Sequence, residues 1–517
     1  MEETEKEVEK RIEKIKAKCL GWFKDPYNKI FFGILILAII IRFYFFFETM
    51  HQPVWWDEAD YLGESKVFGK VMDIDYAFNP RRPFLLALTF GLMFRLGFGE
   101  VSLRVLELLL SILAIPALYL VGKTLFNKEV GLISSFLLAI YWEHLFYSFR
   151  LMTEIPSLTL LLFSIYFFWE GYINKKPKML PLFGLFFGLS VMFRAGMFAI
   201  GVSFFFFMIL VDRLKFLKNK GVWAAGIIFL LIFSTFLGYI YFKEKSTNPL
   251  DRFFGVSEGR FGLSKAMGFS GIKQYALFSP VYFGTVLLIP FLFGLLLLFF
   301  DIALRIDLIW KKRSSQMTKY LFIFLWVAVP FLFHALIGDH MESRYLLSIL
   351  PAFFIILSNG LIKIKELTLR YGKNIGILIL IIFLLSGAYY QIKQANQTIS
   401  AKSASYLEVM QSGIWLKANT PKDAIIFSES WPQHTYYSER KVYAFMSPHL
   451  NESYFEEKVK EIKPDYLVLS IFEQHAQWAY TYPQKHNDTL IPVQAYPAQT
   501  NQPTLIIYKF NYKNEDL

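Results

Sequence analysis

The sequence predicts a polytopic α-helical membrane protein that ends in a small α/β domain. Three observations predict it. The chain of 517 residues is 55% hydrophobic, with 56 Phe, too apolar for a water-soluble protein of that length. Apolar runs of roughly 17–23 residues alternate with short charged segments, the pattern of successive spans. Past about residue 390 the long runs stop and short helix and strand patterns replace them.

The net charge of +12 comes from Lys and Arg clustered in short loops between the runs. That placement fits membrane topology better than a nucleic-acid groove. Residues 1–18 form a charged helical segment ahead of the first run and, with no small-residue cleavage site after it, read as part of an uncleaved anchor. The single cysteine, Cys19, excludes an intrachain disulfide or thiolate metal site.

Apolar runs lie near 30–47, 101–122, 129–147, 154–171, 179–194, 196–211, 221–242, 281–303, 320–338, 345–361 and 374–390. Taken as eleven spans with a cytoplasmic N-terminus, they place the clusters at Lys175–Lys178, Arg213–Lys220, Lys311–Arg313 and Lys363–Lys373 inside, as the positive-inside rule asks. Residues 83–94 are also apolar, but Arg95 and Gly97 end the run too early for a span. Counting it would also turn every later loop over. We therefore expect 83–98 to lie in or dip into the outer interface, within a long first outer loop, 48–100.

The tail shows helical spacing at 404–419, a turn at Thr420–Asp423, a buried strand at 424–428, a second helix at 455–462, and strands at 466–470 and 504–510. This gives a transmembrane domain, 1–390, and an extracytoplasmic α/β domain, 391–517. Glycosylation sequons at Asn396, Asn451 and Asn487 fit an outside location and equally fit chance in a polar segment.

Candidate chemistry sits where spans meet the outer face. Asp57 and Glu58 follow the first run; Arg150 and Glu154 flank another; Arg194 interrupts an apolar run; Glu342 and Arg344 precede the tenth. A charge near bilayer depth costs about 2.5–3.5 kcal/mol on insertion scales, so such groups line a cavity or pair. Any one of them reads equally well as a span-end charge reaching water; together on one face they point to a shared pocket. A carboxylate there orients and deprotonates a hydroxyl, and guanidinium groups hold a phosphate leaving group. The pair suits transfer of a group from a phosphate ester to an alcohol, and a lipid-tailed donor accounts for a site among helices. Trp55 and Trp56 anchor the end of the first span and set the height of Asp57 at the head groups. Carboxylates suit a hard divalent cation, but no His/Cys spacing fixes a metal site, and none is assigned.

The order of these segments carries a family resemblance. Trp56-Asp57-Glu58-Ala59 opens the outer loop. Arg81-Arg82-Pro83-Phe84-Leu85-Leu86, Leu103-Arg104-Val105, Phe149-Arg150-Leu151-Met152-Thr153-Glu154 and Glu342-Ser343-Arg344-Tyr345-Leu346-Leu347 follow. Over residues 30–362 this resembles the GT-C glycosyltransferases, in particular protein O-mannosyltransferases and the aminoarabinose transferases of lipid A. The resemblance implies a multi-pass enzyme of a prokaryotic cell membrane, archaeal members included in the likeness. Its donor would be a polyprenyl- or dolichyl-phosphate sugar. Its acceptor would be a hydroxyl on a protein, lipid or glycan, glycosylated with inversion at the outer face. On matching positions it implies Asp57, Glu58 and Glu154 as catalytic carboxylates. It implies Arg81, Arg82, Arg150, Arg194, Arg260, Glu342, Arg344 and Tyr345 as donor-phosphate and substrate contacts. Two departures bear on substrate identity: Glu154 stands where relatives usually carry Asp, and Arg81 stands where they carry His or Lys before two prolines.

Two other classes compete. A lipid or sugar flippase would place its charges near the midplane on broken helices. An oligosaccharyltransferase would carry Trp-Trp-Asp-Tyr-Gly in its outer domain, whereas the Trp-Trp-Asp here is at 55–57 and continues Glu-Ala.

Overall fold

The computed structural model describes residues 7, 16, 20–74, 76, 79–80, 82–254, 267–305, 315–337, 341–497 and 502–512. Arg81 and Arg260, both expected at the site, lie outside the described residues, as do Cys19 and Lys311–Arg313.

The first helix, Pro26–Thr49, shows how the sequence sets a span. Asp25 caps it by accepting the Tyr27 N–H at 3.0 Å, and Pro26 fills a first-turn position that needs no partner. Its 24 residues reach about 36 Å, enough to cross a bilayer core. Among the described residues, seven helices are long and apolar enough to span, beginning at Pro26, Glu100, Ala195, Lys220, Phe269, Gln316 and Asn374. The remaining four of the eleven expected runs are shorter or broken. Tyr141 is extended (φ −66°, ψ 123°) and splits 129–147 into Lys128–Ile140 and Trp142–Tyr147. Glu154–Phe168 ends in a π turn, Leu180–Phe193 has 14 residues, and Leu350–Thr368 has 19. The first two of these pieces are buried along most of their length, so apolar composition there serves packing inside the bundle. The helix Phe269–Arg305 bends at Gly284 (φ +69°), where a Cβ would sit 2.6 Å from the Tyr390 ring.

Polar contacts define two ends of the bundle. At one, Lys128 pairs with Asp25, Lys365 pairs with Glu129 at 2.7 Å, and Tyr27 reaches Glu129. At the other end of the first helix, the Gln52 side chain donates to the Phe149 carbonyl at 3.1 Å.

That second end carries the helix Trp56–Phe68, begun by Glu58, which accepts the Trp55 N–H at 2.8 Å. Acidic residues in a first turn also oppose the helix dipole favourably. The apolar segment after Pro83 forms Leu85–Arg95, 11 residues, about 16 Å long and well short of the bilayer core. The two helices meet backbone to backbone through glycine. A Cβ on Gly91 would lie 2.7 Å from the Ser65 carbonyl oxygen, and one on Gly69 only 2.4 Å from that of Gly91.

The tail folds as a five-stranded sheet, β1 (Ile425–Ser428), β2 (Lys441–Tyr443), β3 (Tyr466–Ser470), β4 (Leu490–Pro497) and β5 (Pro503–Phe510), in the order β2-β1-β3-β5-β4. β1 pairs in parallel with β2 and β3, while β5 is antiparallel to β3 and β4. Successive residues face opposite sides: Phe427 and Leu467 pack with Phe455 and Val459, and Ile426 and Val468 with Val409 and Leu416. The expected strands at 424–428, 466–470 and 504–510 and helices at 404–419 and 455–462 appear as Ile425–Ser428, Tyr466–Ser470, Pro503–Phe510, Leu407–Asn419 and Glu452–Ile462. β2, β4 and the helices Trp431–Ser438 and Gln477–Lys485 were not expected. Trp431–Ser438 gives no apolar period because it docks through polar aromatics. Tyr437 Oη accepts the Val54 N–H at 2.9 Å, Tyr436 donates to Glu100 at 2.8 Å, and Trp431 meets Trp56 edge-on. The helix Lys373–Lys402 runs through residue 390, and we propose 403–406 as the passage between the two units.

Gly91→Ala should force Leu85–Arg95 away from Trp56–Phe68. Overpacking of this kind costs about 1–3 kcal/mol, so thermal unfolding in detergent should start at a lower temperature, while Gly97→Ser, in open space but at φ +86°, should perturb only the local turn.

Candidate active site

The acidic first turn, the start of Glu154–Phe168, the break at Arg194 and the turn Ser343–Ser348 converge at the end of the bundle opposite Asp25. Their charged groups fall into two sets.

One set is fully buried. Glu58 accepts the Trp55 and Leu151 N–H groups, both at 2.8 Å, and pairs with Arg150 at 3.1 Å and Arg104 at 3.6 Å. Arg150 lies over the Trp55 ring, 4.0 Å from its centre. Arg104 donates to the Phe149 and Gln52 carbonyls at 2.5 and 2.9 Å. These groups hold the loop against the bundle.

The other set lines a cavity of about 580 Å³ walled by Trp55, Trp56, Asp57, Glu342, Arg344 and Tyr406, with Tyr147, Met152 and Ser343. Asp57 accepts from Arg82 Nη2 at 2.9 Å through one oxygen and from Arg344 Nη1 at 2.8 Å through the other. Burial pushes the Asp57 carboxyl up, but the two guanidinium groups outweigh it and hold the carboxyl below its usual range. Arg82 also pairs with Asp60, which accepts from Tyr76 at 2.9 Å; there burial wins, and the Asp60 carboxyl is raised. Arg344 binds Glu342 through Nε, and its Nη1 lies 3.6 Å from Glu154. Burial works against the charged guanidinium, but Glu154, Glu342 and Asp57 outweigh it and raise its pKa. Glu154 itself is buried and takes Arg194 at 2.5 Å. Arg194 also donates to Thr153 and lies over the Tyr345 ring, which stacks on His334.

The structure thus brings Asp57, Arg82, Glu154, Arg194, Glu342, Arg344 and Tyr345 into one connected group and sets Glu58 and Arg150 in the wall behind it. Sequence reasoning missed Asp60, Tyr76 and Tyr406. It also missed Glu107 and Glu143, both buried, Glu107 with both carboxylate oxygens unpartnered among the described residues. Each interrupts an apolar run as Arg194 does, so the same signal was present in the sequence. For metals, Glu452, Glu456 and His486 lie close enough to share one ion, but Lys485 already engages both Glu452 oxygens at 2.9 and 2.8 Å.

Known proteins match this arrangement in fold. Residues 81–239 match the family of dolichyl-phosphate-mannose-protein mannosyltransferases. ArnT from Cupriavidus metallidurans in the apo state is similar at a TM-score of 0.62 and 12% identity, over 95% of this chain and 98% of ArnT. The same enzyme bound to undecaprenyl phosphate gives 0.60 at 12%, over 92% and 97%. The archaeal oligosaccharyltransferase AglB from Archaeoglobus fulgidus, in complex with an inhibitory peptide and a dolichol-phosphate, gives 0.62 at 15%, over 96% of this chain and 75% of AglB. No curated protein sequence matches the chain significantly.

Glu58→Gln should leave Arg150 buried without its counter-charge and Arg104 with only Glu100 at 3.8 Å, a loss of about 3–5 kcal/mol. Glu58→Leu with Arg150→Met should recover part of it, because Arg104 keeps only its longer contact with Glu100 at 3.8 Å. Thermal unfolding of the purified variants checks both.

Proposed function

We propose that this chain, which has the fold of the GT-C membrane glycosyltransferases, transfers a sugar from a polyprenyl- or dolichyl-phosphate donor to a hydroxyl acceptor at the extracytoplasmic face. The observation that carries the reading is the position of Arg344. Its Nη1 stands 2.8 Å from Asp57 and 3.6 Å from Glu154 on the wall of an open cavity, with Arg82 on the other Asp57 oxygen. A carboxylate and two guanidinium groups at one membrane face are the groups that this transfer needs.

The roles follow from charge. With no substrate, Asp57 is neutralised by Arg82 and Arg344 and is a weak base. A donor phosphate entering the cavity competes for Arg344, and bidentate contact with phosphate replaces the contact with Asp57. That exchange frees one Asp57 oxygen and raises its basicity when a hydroxyl is to be activated. The hydroxyl oxygen then bonds to the anomeric carbon with inversion. The bond from that carbon to the phosphate oxygen breaks, the proton goes to Asp57, and the charge on the departing lipid phosphate falls to Arg344 and Arg82. Glu154 positions Arg344 and Arg194, and Glu58 positions the helix that carries Asp57. The relatives captured with undecaprenyl phosphate and with dolichol-phosphate support a lipid phosphate as the donor's handle.

A radiolabelled polyprenyl-phosphate sugar tests the reading. Label leaving the lipid for water or an added acceptor supports it. Label that stays on the lipid while the lipid crosses the bilayer would overturn it in favour of a flippase.

Asp57→Asn should cut turnover by about a hundredfold or more with donor binding retained. Arg344→Lys keeps the charge but loses the planar fork, and should forfeit part of the roughly hundredfold that one transition-state donor supplies. Full activity in either purified variant removes the role.

The topology that goes with this reading puts the Asp57 end and the sheet domain outside. Arg82, Arg104, Arg150, Arg194 and Arg344 there pair with carboxylates inside the protein, while the Asp25 end carries the lysine-rich loops that the positive-inside rule puts in the cytoplasm. In a Cys19→Ser background, Ala418→Cys and Leu96→Cys should react with an impermeant thiol reagent on intact cells, and Tyr371→Cys only after permeabilisation. All three side chains are exposed. The reverse pattern inverts the assignment.

A further inference from the structure

A second cavity lies at the Asp25 end of the bundle, opposite the Asp57 cavity. It measures about 350 Å³ and is walled by three helices, Phe269–Arg305, Ser315–Leu332 and Leu350–Thr368, and by the turn at Phe126 and Asn127. Asn127 caps Lys128–Ile140 by accepting the Val130 N–H at 2.9 Å, and Lys128 pairs with Asp25, which fixes this turn at the Asp25 end. Lys365, on the third of the helices, pairs there with Glu129 at 2.7 Å. The inner end of the cavity closes at Gly294, where a Cβ would lie 2.3 Å from the Ile356 carbonyl oxygen, so two helix backbones touch and leave no room deeper in.

The walls are graded along the helix axes. Ser315–Leu332 enters the bundle from this end and contributes Gln316 and Lys319 before Ile323; Leu350–Thr368 leaves at this end and contributes Ile356 before Lys363 and Glu366. A rise of 1.5 Å per residue puts Ile323 about 6 Å inward of Lys319, and Ile356 about 10 Å inward of Lys363. The charged groups therefore stand at the mouth and the aliphatic ones deeper. Beside the lining residue Leu297, the helix Phe269–Arg305 exposes Leu296, Phe299 and Phe300, the kind of surface that a span turns to lipid.

The charges at the mouth do not cancel. Lys363 pairs with Glu366 at 3.0 Å. Lys319 is partly buried, its Nζ lies 5.8 Å from the centre of the Phe126 ring, and it has no hydrogen-bond or ion-pair partner among the described residues. Two lysines and one glutamate leave the lining with one uncompensated positive charge. An ammonium group drawn partly out of water without a counter-charge is unfavourable until an anion arrives.

We propose that this cavity binds an anionic phospholipid, its phosphodiester on Lys319 with Lys363 beside it, and its glycerol and first acyl carbons against Ile323, Leu297 and Ile356. A phosphodiester carries the single negative charge that the lining lacks. The order of the walls, charged at the mouth and aliphatic within, is that of a lipid standing in one leaflet, whereas a free phosphate uses the mouth alone. Basic pockets between spans on the cytoplasmic side take phospholipid head groups by the same attraction. The lipid bridges Ser315–Leu332 and Leu350–Thr368 where a gap separates them. Its leaflet, the cytoplasmic one, rests on the topology above; the binding does not, and neither rests on the transfer chemistry at Asp57.

Full-length protein in detergent is titrated with phosphatidylglycerol, with diacylglycerol of the same tails and with glycerol 3-phosphate, and bound molecules are counted by native mass spectrometry. Phosphatidylglycerol should be retained saturably, and the other two, which lack either the charge or the tails, should not. Lys319→Gln should weaken retention by about fivefold or more, the share of one lysine beside a charged lipid, and Lys319→Arg should keep it. Leu297→Trp, which fills the inner part and leaves the charges intact, should weaken it as well. Lys220→Gln, at an exposed lysine outside the lining, should leave it unchanged. Thermal unfolding without lipid shows which variants fold, and if Lys319→Gln does not, Leu297→Trp and Lys363→Gln decide. Absence of saturable retention overturns the proposal, as does retention that the cavity variants leave unchanged or that Lys220→Gln lowers equally. Equal retention of glycerol 3-phosphate makes the cavity a site for free phosphate compounds, equal retention of diacylglycerol makes it a plain apolar groove, and either result also overturns the proposal.

Discussion

Burying Glu58 fixes the geometry of the whole upper end. Its four partners come from three places in the chain: Trp55 in its own loop, Arg104 in the second long helix, and Arg150 and Leu151 in the turn before Glu154. A carboxylate with no contact to water must satisfy its lone pairs inside the protein, and its arginines must find counter-charge there too. The geometry that does both clamps Trp56–Phe68 onto the bundle, which sets where Asp57, one residue earlier, meets the cavity.

The catalytic proposal inherits that rigidity. Asp57, Glu154 and Glu342 surround Arg344 from three different segments, so the guanidinium is positioned before any ligand arrives. Preorganised charge is effective because little reorganisation is left for the reaction step. The same pairing makes Asp57 a poor base at rest. Under the proposed function the site is switched on by its own substrate, since an anion that competes for Arg344 releases the carboxylate.

The sheet domain is tied to this end by contacts of the same mixed character. Tyr436 and Tyr437 bond to Glu100 and to the Val54 backbone, Lys66 pairs with Glu439 at 2.7 Å, and Trp431 meets Trp56. Apart from the Glu100 bond, each lands within three residues of the acidic turn or on the helix that continues from it.

The sequence by itself determined the membrane class, the location of the charged set and the central strands. Hydropathy and charge are local properties, and a 20-residue apolar run or an alternating strand is read without knowing its neighbours. It also showed that Asp57, Glu154, Arg194 and Arg344 belong together, because each stands at a span end on one side of the expected topology. What it left open is which charges face a cavity and which are sealed in a wall. Asp57 and Glu58 are adjacent in sequence and alike in chemistry, yet a helix turns successive residues by about 100°, one toward the cavity and one toward Arg150. Among the described residues the eleven apolar runs likewise became seven long helices and several short ones, since composition does not distinguish a run facing lipid from one broken at Tyr141 and packed among other helices. The tertiary structure decided these points because pairing and burial depend on segments as far apart as residues 57 and 344, whose proximity no local pattern records.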